Sequence, residues 1–200
     1  MKRLYLASTS ASRKMLLTQA RIPFTIIHQS ADESQCDWSL SLQQVVESIA
    51  LYKMEHASLF QGQEDDICYV LTADTLTLNS QGEIQGKPVD RQDAIKKLQS
   101  ARDGARTGTA FCLERRIFKD GDWHMQERVV QFVQADYRFN VPDDQLNFYL
   151  DNIGFWGSCA IAIEDFGAQF LESVNGSYTT IVGLPMYELR QALIRLGFFS

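Results

Sequence analysis

The sequence predicts an α/β fold in which a mixed β-sheet is flanked by helices, and three stretches carry that prediction. Residues 4–7 are apolar or small and lead directly into a helix-forming segment, as expected for a strand that turns into a helix. Residues 67–73 are a continuous apolar run, which is typical of a central strand buried on both faces. Two long strand-like segments meet at Asp120-Gly121, a dipeptide that favours a hairpin turn.

Hydrophobic periodicity, turn residues and capping residues predict the other elements in order. The further strands are residues 22–27, 76–78, 83–85, 111–118 and 123–137, and the helices after the first are residues 40–60, 90–101, 142–150 and 185–196. Residues 28–39 are polar and predict a loop that could carry function. Residues 152–177 alternate small and apolar side chains around glycines, which favours short strands and turns.

Length and composition predict one folded domain spanning residues 1–200. The chain is 45% apolar, which is enough for one substantial core or for two small lobes. Its net charge of −6 argues against a protein that coats nucleic acid or an anionic membrane, because both need a broad basic surface. A small anion remains a plausible partner where a few cations are gathered locally.

The cysteine pattern and the N-terminus predict a soluble, cytoplasmic protein. The four cysteines are scattered and form no C-x-x-C pair, so we expect reduced and mostly buried thiols. The first apolar run ends at Ala7, which is too short for a secretory signal, and no later run is long enough to span a membrane.

The segment after the first strand is rich in hydroxyls, with Ser8, Ser10 and Ser12 preceding Arg13. Ser10 is placed to cap the first helix, so that the free N–H groups of the first turn and the Arg13 guanidinium would converge on one point. Such a point favours a phosphate. The alternative is that Ser10 only caps the helix and Arg13 lies in solvent.

Two further charged residues occur where charge is unexpected. Lys53 falls on the apolar stripe of the 40–60 helix, so its ammonium either snorkels to solvent or reaches an anion. Asp74 follows the buried run 67–73, at the strand end where open α/β sheets keep their ligand crevice.

Together these residues suit phosphate chemistry. Glu33 and Asp74 could hold a hard divalent ion, which prefers oxygen ligands and keeps several waters in phosphate sites. A polyphosphate would be neutralised by cations and hydroxyls, for which the candidates are Arg13, Lys53, Lys87, Ser8 and Ser10.

The motifs resemble those of one family in order and spacing. Leu6-Ala-Ser-Thr-Ser-Ala-Ser-Arg13, followed by Leu16-Leu17, is similar to the N-terminal signature of the Maf family of nucleoside triphosphate pyrophosphatases, with Ala11 in place of the usual proline. Five further segments match family motifs: Ala31-Asp-Glu33, Ala50-Leu-Tyr-Lys53, Ala73-Asp-Thr75, Gly86-Lys-Pro88 and Val182-Gly-Leu-Pro185. The resemblance therefore covers nearly the whole chain.

The resemblance implies hydrolysis of a nucleoside triphosphate to the monophosphate and pyrophosphate, as house-cleaning of the nucleotide pool. It also implies a divalent cofactor, Mg²⁺ or Mn²⁺, an elongated fold with two lobes around a nucleotide-binding cleft, and a homodimer as a partner state. By the same resemblance, Asp74 would be the general base or the activator of metal-bound water, and Glu33 a metal ligand. The phosphate-binding cations would be Arg13, Lys53 and Lys87.

The resemblance also implies three base-reading positions, occupied here by Ser12, Thr75 and Glu164. Thr75 matches the branch that acts on dTTP and UTP, whereas Glu164 matches the 7-methyl-GTP branch and Ser12 matches neither. A carboxylate can accept two hydrogen bonds from guanine, so we expect a 7-methyl-GTP-like substrate. The alternatives are a dTTP/UTP pyrophosphatase, with Glu164 only a surface residue in a turn, and a non-catalytic nucleotide-binding regulator of septum formation.

The sequence departs from the family at two places that concern substrate contacts. Residues 103–112 lack the histidine that the family often carries, and Thr180 replaces an asparagine that is common before Val-Gly-Leu-Pro. Neither departure removes a proposed catalytic group.

Overall fold

A computed structural model describes residues 2–154 and 158–200, and within them the α/β prediction is confirmed. The described residues form a mixed sheet of seven strands in the order β2-β1-β3-β5-β6-β7, with β4 paired to β3. The strands are β1 (Arg3–Leu6), β2 (Phe24–Ile26), β3 (Ile67–Leu78), β4 (Ile84–Gln85), β5 (Ala105–Lys119), β6 (Asp122–Phe139) and β7 (Leu171–Gly176). The predicted turns and short strands at 152–177 include residues 155–157, which lie outside the described residues.

The described residues also form six α-helices. They are α1 (Ala11–Gln19), α2 (Leu42–Glu55), α3 (Arg91–Ser100), α4 (Leu146–Ile153), α5 (Tyr178–Val182) and α6 (Met186–Arg195). Three begin at the kind of residue that caps a helix, because Ser10, Ser41 and Asp90 each accept a hydrogen bond from a first-turn N–H group. None of the helices in the described ranges has both the length and the apolar character that a membrane span requires.

The chain forms two compact units. Unit 1 comprises residues 1–74, 110–132 and 183–200, and unit 2 comprises residues 75–109 and 133–182. The expectation of one domain, the arrangement of two lobes around a cleft, and the homodimer stay predictions.

Unit 1 is built on parallel pairing. β1 lies between β2 and β3, with Leu4 opposite Phe24 on one side and Tyr69 on the other. A strand with parallel neighbours on both sides has its backbone fully paired, and its faces must be covered by helices. Leu4 and Tyr69 are accordingly buried, and the Tyr69 hydroxyl donates to the Leu196 carbonyl oxygen at 2.9 Å, which ties β3 to the end of α6.

Unit 2 is built on antiparallel pairing and an aromatic core. β6 pairs with β7, with Ala135 opposite Gly176. The Phe139 and Tyr149 rings pack edge to face with centroids 5.6 Å apart, and the Phe170 ring lies 5.4 Å from Tyr149. These contacts fix α4 against the sheet.

The structure corrects the sequence-based boundaries at three places. β3 does not end before Asp74 but continues through it to Leu78, so Asp74 lies inside the strand. β5 begins at Ala105, six residues before the predicted start at Phe111. Helix α5 lies between the predicted turn-rich segment 152–177 and the predicted helix 185–196, where no element was predicted. The first two errors share a cause, since polar side chains interrupt the apolar pattern there and only tertiary hydrogen bonds make their burial tolerable.

Candidate active site

The loop after β1 is held by the Ser8 hydroxyl. Ser8 Oγ accepts from the backbone N–H of Ser10 at 3.2 Å and from an Arg13 Nη at 3.2 Å. Ser10 caps α1 as predicted, and its Oγ accepts from the backbone N–H of Arg13 at 3.4 Å. The strand, the loop and the helix therefore form one hydrogen-bonded unit.

The Arg13 side chain is buried, so the alternative that it lies in solvent is wrong. Its Nε donates to the carbonyl oxygen of Gly183 at 2.9 Å. Gly183 has a φ of 122°, a conformation that side chains rarely adopt, and this explains the glycine in the Val182-Gly-Leu-Pro185 motif. Two motifs 170 positions apart thus meet at one guanidinium.

In unit 1 the Lys53 ammonium lies between the carboxylates of Asp74 and Glu33, and these three side chains form a charge cluster with Arg13. Lys53 Nζ lies 2.7 Å from Asp74 Oδ1 and 2.9 Å from Glu33 Oε1. The side chains of Lys53 and Asp74 are only 8% and 9% exposed, whereas that of Glu33 is 43% exposed. Lys53 does not snorkel to solvent; it reaches two anions of the protein itself.

Local hydrogen bonds bring Lys53 and Asp74 together. The Thr72 hydroxyl donates to the Ala50 carbonyl oxygen at 2.7 Å, which fixes α2 against β3. Lys53 lies three residues beyond Ala50 on the same helical face, and Asp74 lies two residues beyond Thr72 on the same face of the strand. The two charged side chains therefore meet one step further along both elements.

The loop before α2 presents Glu33 rather than its neighbour Asp32. Asp32 caps a short 3₁₀ turn (Glu33–Gln35) by accepting from the backbone N–H of Ser34 at 3.1 Å. The Ser34 hydroxyl also donates to Asp32 at 2.7 Å, and the hydrogen bonds from this hydroxyl and from the Ser34 N–H lower the pKa of the Asp32 carboxyl. The turn is tied to α2 by the Tyr52 hydroxyl, which donates to Gln35 Oε1 at 3.1 Å.

The charges of this cluster balance. Burial lowers the pKa of the Arg13 guanidinium, and the carboxylates of Asp74 and Glu33 oppose that shift. An arginine stays protonated under such conditions, so two cations face two anions. Asp74 Oδ2 is buried and has no hydrogen-bond partner among the described residues. A buried carboxylate oxygen without a partner costs free energy, and among the described residues Glu188 Oε2 is the other such oxygen.

The residues present fit a divalent ion that takes few protein ligands. Within residues 2–154 and 158–200 no group of three or more His, Cys, Asp and Glu side chains is arranged to hold a metal. Glu33 and Asp74 nevertheless offer two carboxylates beside the Lys53 ammonium, and Asp74 Oδ2 has no partner in the part of the chain that the structure describes. Magnesium in phosphate sites is bound by one or two carboxylates together with substrate oxygens and water, which matches this donor set.

The other predicted site residues lie elsewhere. Ser12 is half-buried in the first turn of α1, in unit 1. Lys87, Thr75 and Glu164 belong to unit 2. Lys87 is exposed, Thr75 is half-buried in β3, and Glu164 is half-buried before a 3₁₀ turn (Asp165–Phe170). The roles of all these residues stay predictions.

One feature in each unit escaped the sequence argument. The Thr75 hydroxyl lies 2.9 Å from the Thr109 hydroxyl, and Thr109 was not singled out. Cys36 is half-buried near the cluster, where burial and the charges of Glu33 and Asp74 raise the pKa of its thiol. Cys36 follows Glu33 by three residues, and this closeness in sequence could have suggested that its thiol lies near the Glu33 carboxylate. Nothing local in the sequence indicates Thr109.

A comparison with known families confirms the family resemblance. Residues 3–196 match the family described as Maf-like protein. The chain belongs to the Maf-like protein family.

Relatives of this Maf-like protein align with it from end to end. A dTTP/UTP pyrophosphatase of Caldicellulosiruptor bescii is 32% identical, covering 99% of this chain and 96% of the relative. A dTTP/UTP pyrophosphatase of Halalkalibacterium halodurans is also 32% identical, with 99% and 98% covered. A nucleoside triphosphate pyrophosphatase of Chlamydia pneumoniae is 27% identical, with 97% and 94% covered.

These relatives do not support the expected place of the Maf-like chain in the 7-methyl-GTP branch. The two that are named for a base are named for dTTP and UTP. The expectation gave more weight to Glu164 and its neighbours than to Thr75, which matches the dTTP/UTP branch.

Replacing Lys53 tests the buried charge cluster. We expect Lys53→Met to lower the free energy of unfolding by about 3–5 kcal/mol, because it leaves the Asp74 carboxylate buried without its cation. Urea unfolding measures the change. In Lys53→Met/Asp74→Asn the combined loss should be smaller than the sum of the single losses.

The control for this experiment is Lys119→Met. Lys119 lies 3.8 Å from Asp65, and both side chains are at least half exposed. Its removal should cost less than about 1 kcal/mol. Equal losses at Lys53 and Lys119, or strict additivity in the double variant, would contradict the proposed coupling.

Proposed function

We propose that this Maf-like protein hydrolyses a nucleoside triphosphate to a monophosphate and pyrophosphate. The observation that carries the proposal is the buried Lys53 ammonium, which lies between the carboxylates of Asp74 and Glu33. These two carboxylates also interact electrostatically with the Arg13 guanidinium. The names of its relatives support the reaction. Phosphorus displacement depends mostly on positioning and on charge stabilisation, and this cluster can supply both.

In the proposed reaction, the loop after β1 binds phosphate. The N-terminus of α1 offers first-turn N–H groups and the positive end of the helix dipole, and the Ser8, Ser10 and Ser12 hydroxyls lie on the same loop and first turn. Arg13 is held in place by Ser8 and Gly183, so its charge is pre-positioned. Lys53 and Lys87 are the further cations proposed for the phosphates.

Asp74 is the proposed general base. Lys53 engages Oδ1, and this fixes the plane of the carboxylate. Oδ2 is the oxygen without a partner among the described residues, so it has the lone pairs that can accept a proton from an attacking water. In this proposal Oδ1 positions the Asp74 carboxylate and Oδ2 accepts the proton.

Glu33 and Asp74 are proposed to hold Mg²⁺ or Mn²⁺. When bound, such an ion neutralises phosphate oxygens and lowers the pKa of a coordinated water. Lys53, which now neutralises both carboxylates, would then have its ammonium available for a substrate phosphate.

Asp74→Asn tests the assignment of the base. We expect the rate of pyrophosphate release to fall by about 10²–10⁴-fold, because an amide cannot accept the proton. Asp144→Asn, at an exposed carboxylate in unit 2, serves as the matched control and should leave the rate unchanged. A folded Asp74→Asn protein that keeps more than a tenth of the activity would show that the base is another group.

The position of cleavage can be read from isotope labelling. The cations around the first loop suit a leaving group with two phosphates, so water should attack the α-phosphorus. Hydrolysis in ¹⁸O-labelled water should therefore place the label in the monophosphate, as read by mass spectrometry. Label in pyrophosphate would mean attack at the β-phosphorus and would refute this assignment.

The proposed substrates are pyrimidine nucleotides of the dTTP and UTP type. Two relatives at 32% identity are named for these substrates, and Thr75 matches the same branch. Glu164 is the residue that favours a guanine-type substrate, because a carboxylate can accept two hydrogen bonds from guanine. Its carboxylate lies near Tyr178, whose phenol pKa is raised by burial and by the charges of Glu164 and Asp165.

Base preference is tested by comparing kcat/KM for dTTP, UTP, GTP and 7-methyl-GTP. We expect dTTP or UTP to exceed 7-methyl-GTP by about tenfold or more, the size of effect that one mismatched polar group produces. Glu164→Gln should raise the pyrimidine rates further, because the amide can donate to O4. Glu172→Gln, an exposed position in unit 2, is its control. Preference for 7-methyl-GTP in the wild-type enzyme would overturn this substrate assignment.

A further inference from the structure

The Lys53 ammonium lies at the point where two carboxylates of the charge cluster come together. Its Nζ is 2.7 Å from Asp74 Oδ1 and 2.9 Å from Glu33 Oε1. Asp74 Oδ2 is buried and has no hydrogen-bond partner among the described residues. Carboxylate oxygens are the ligands that a divalent ion prefers, so the ammonium lies where such an ion would bridge the pair.

The roles proposed for the two oxygens of Asp74 determine which of them a metal ion can use. Oδ2 is proposed to accept a proton from the attacking water, and an oxygen whose electrons are drawn to a divalent ion accepts a proton poorly. Oδ1 is therefore the metal ligand in that proposal. Oδ1 is also the oxygen to which Lys53 donates. The ion and the ammonium thus depend on the same atom.

The two cations cannot share Asp74 Oδ1 and Glu33 Oε1. Mg²⁺ binds oxygen at about 2.0–2.1 Å, so an ion that bridges the two oxygens would lie within the space of the ammonium. Two positive charges a few ångströms apart in a largely buried site also repel each other strongly. Lys53 can move away, because it lies in the last turn of α2 and carries its charge at the end of a long flexible stem.

We infer that Lys53 and the divalent ion are alternative occupants of the Asp74–Glu33 carboxylate pair. Without metal, the ammonium neutralises the pair and gives the buried Asp74 carboxylate its counter-charge. When an ion takes the pair, the ammonium is released, and the same step makes it available to a substrate phosphate. The inference rests on the proposed function and adds an order of events to it, since this phosphate-binding cation becomes free only as the metal site fills.

Glu33 provides the side from which the exchange can occur. Its side chain is 43% exposed, whereas those of Lys53 and Asp74 are 8% and 9% exposed. The residue begins a short 3₁₀ turn (Glu33–Gln35) rather than a long element of the sheet. A hydrated ion can therefore reach the pair at Glu33 before it meets the buried carboxylate.

The experiment measures the affinity of the nucleotide-free protein for Mn²⁺, by electron paramagnetic resonance of the free ion, in variants shown by circular dichroism to be folded. Lys53→Met should bind Mn²⁺ about tenfold more tightly than the wild type, because the ion no longer has to displace a like charge. In Lys53→Met/Glu33→Gln the gain should disappear, because one carboxylate of the pair is lost. Lys119→Met is the matched control, since it removes one positive charge from an exposed ion pair of unit 1, and its affinity should equal that of the wild type.

A second measurement uses the wild type alone and decides the matter where Lys53→Met does not fold. Acetic anhydride at low dose labels lysine side chains, and mass spectrometry gives the labelling rate at each lysine. Mn²⁺ should raise the rate at Lys53 several-fold, because the ammonium leaves its two ion pairs. The rate at Lys119 should stay the same.

Three results would overturn the inference. One is a folded Lys53→Met protein whose affinity for Mn²⁺ is unchanged, lower, or raised no more than that of Lys119→Met. Another is a gain that persists when Glu33→Gln is added, which would place the ion elsewhere. The third is a labelling rate at Lys53 that Mn²⁺ does not raise. Failure of the proposed function is a separate result, because both measurements omit the nucleotide and that failure appears as a wild type that releases no pyrophosphate.

Discussion

The interaction on which the rest of unit 1 depends is the buried ion pair between Lys53 and Asp74. Taking a carboxylate and an ammonium out of water costs several kcal/mol for each ion, and their attraction offsets this cost only with good geometry. The geometry is good here, with 2.7 Å between the two charged atoms. It requires α2 to dock at one register on β3, and the Thr72 hydroxyl selects that register through the Ala50 carbonyl.

The same constraint explains why polar side chains can interrupt the largely buried strand β3. β3 carries Thr72, Asp74, Thr75 and Thr77, and each is hydrogen-bonded to a group on another element. Such bonds return most of the cost of burying a polar group. They also fix where each side chain points, so the strand can present a carboxylate and a hydroxyl with defined orientations.

Sequence reasoning found the groups of this cluster whose cause is local. Helical periodicity placed Lys53 on the apolar face of α2, the apolar run placed Asp74 directly after a buried strand segment, and Ser10 was identified as a cap. It could not find the contact of Arg13 with Gly183, because 170 residues separate them. It could not find the contact of Thr75 with Thr109, because 34 residues separate them. The end of β3 was misplaced for the same reason. A charged residue after an apolar run predicts the end of a buried strand unless its partner, here Lys53, is known.

A second buried carboxylate in unit 1 shows what distinguishes Asp74. Glu114 is completely buried, yet Oε2 pairs with Arg116 at 2.5 Å and Oε1 accepts from Arg128 at 2.7 Å. Both of its oxygens are satisfied, as a structural ion cluster requires. Asp74 is held through one oxygen and leaves the other without a partner among the described residues. Among the described residues the two carboxylates thus differ in kind, since Glu114 has the partners of a structural ion cluster and Asp74 Oδ2 keeps the hydrogen-bonding capacity on which its proposed role depends.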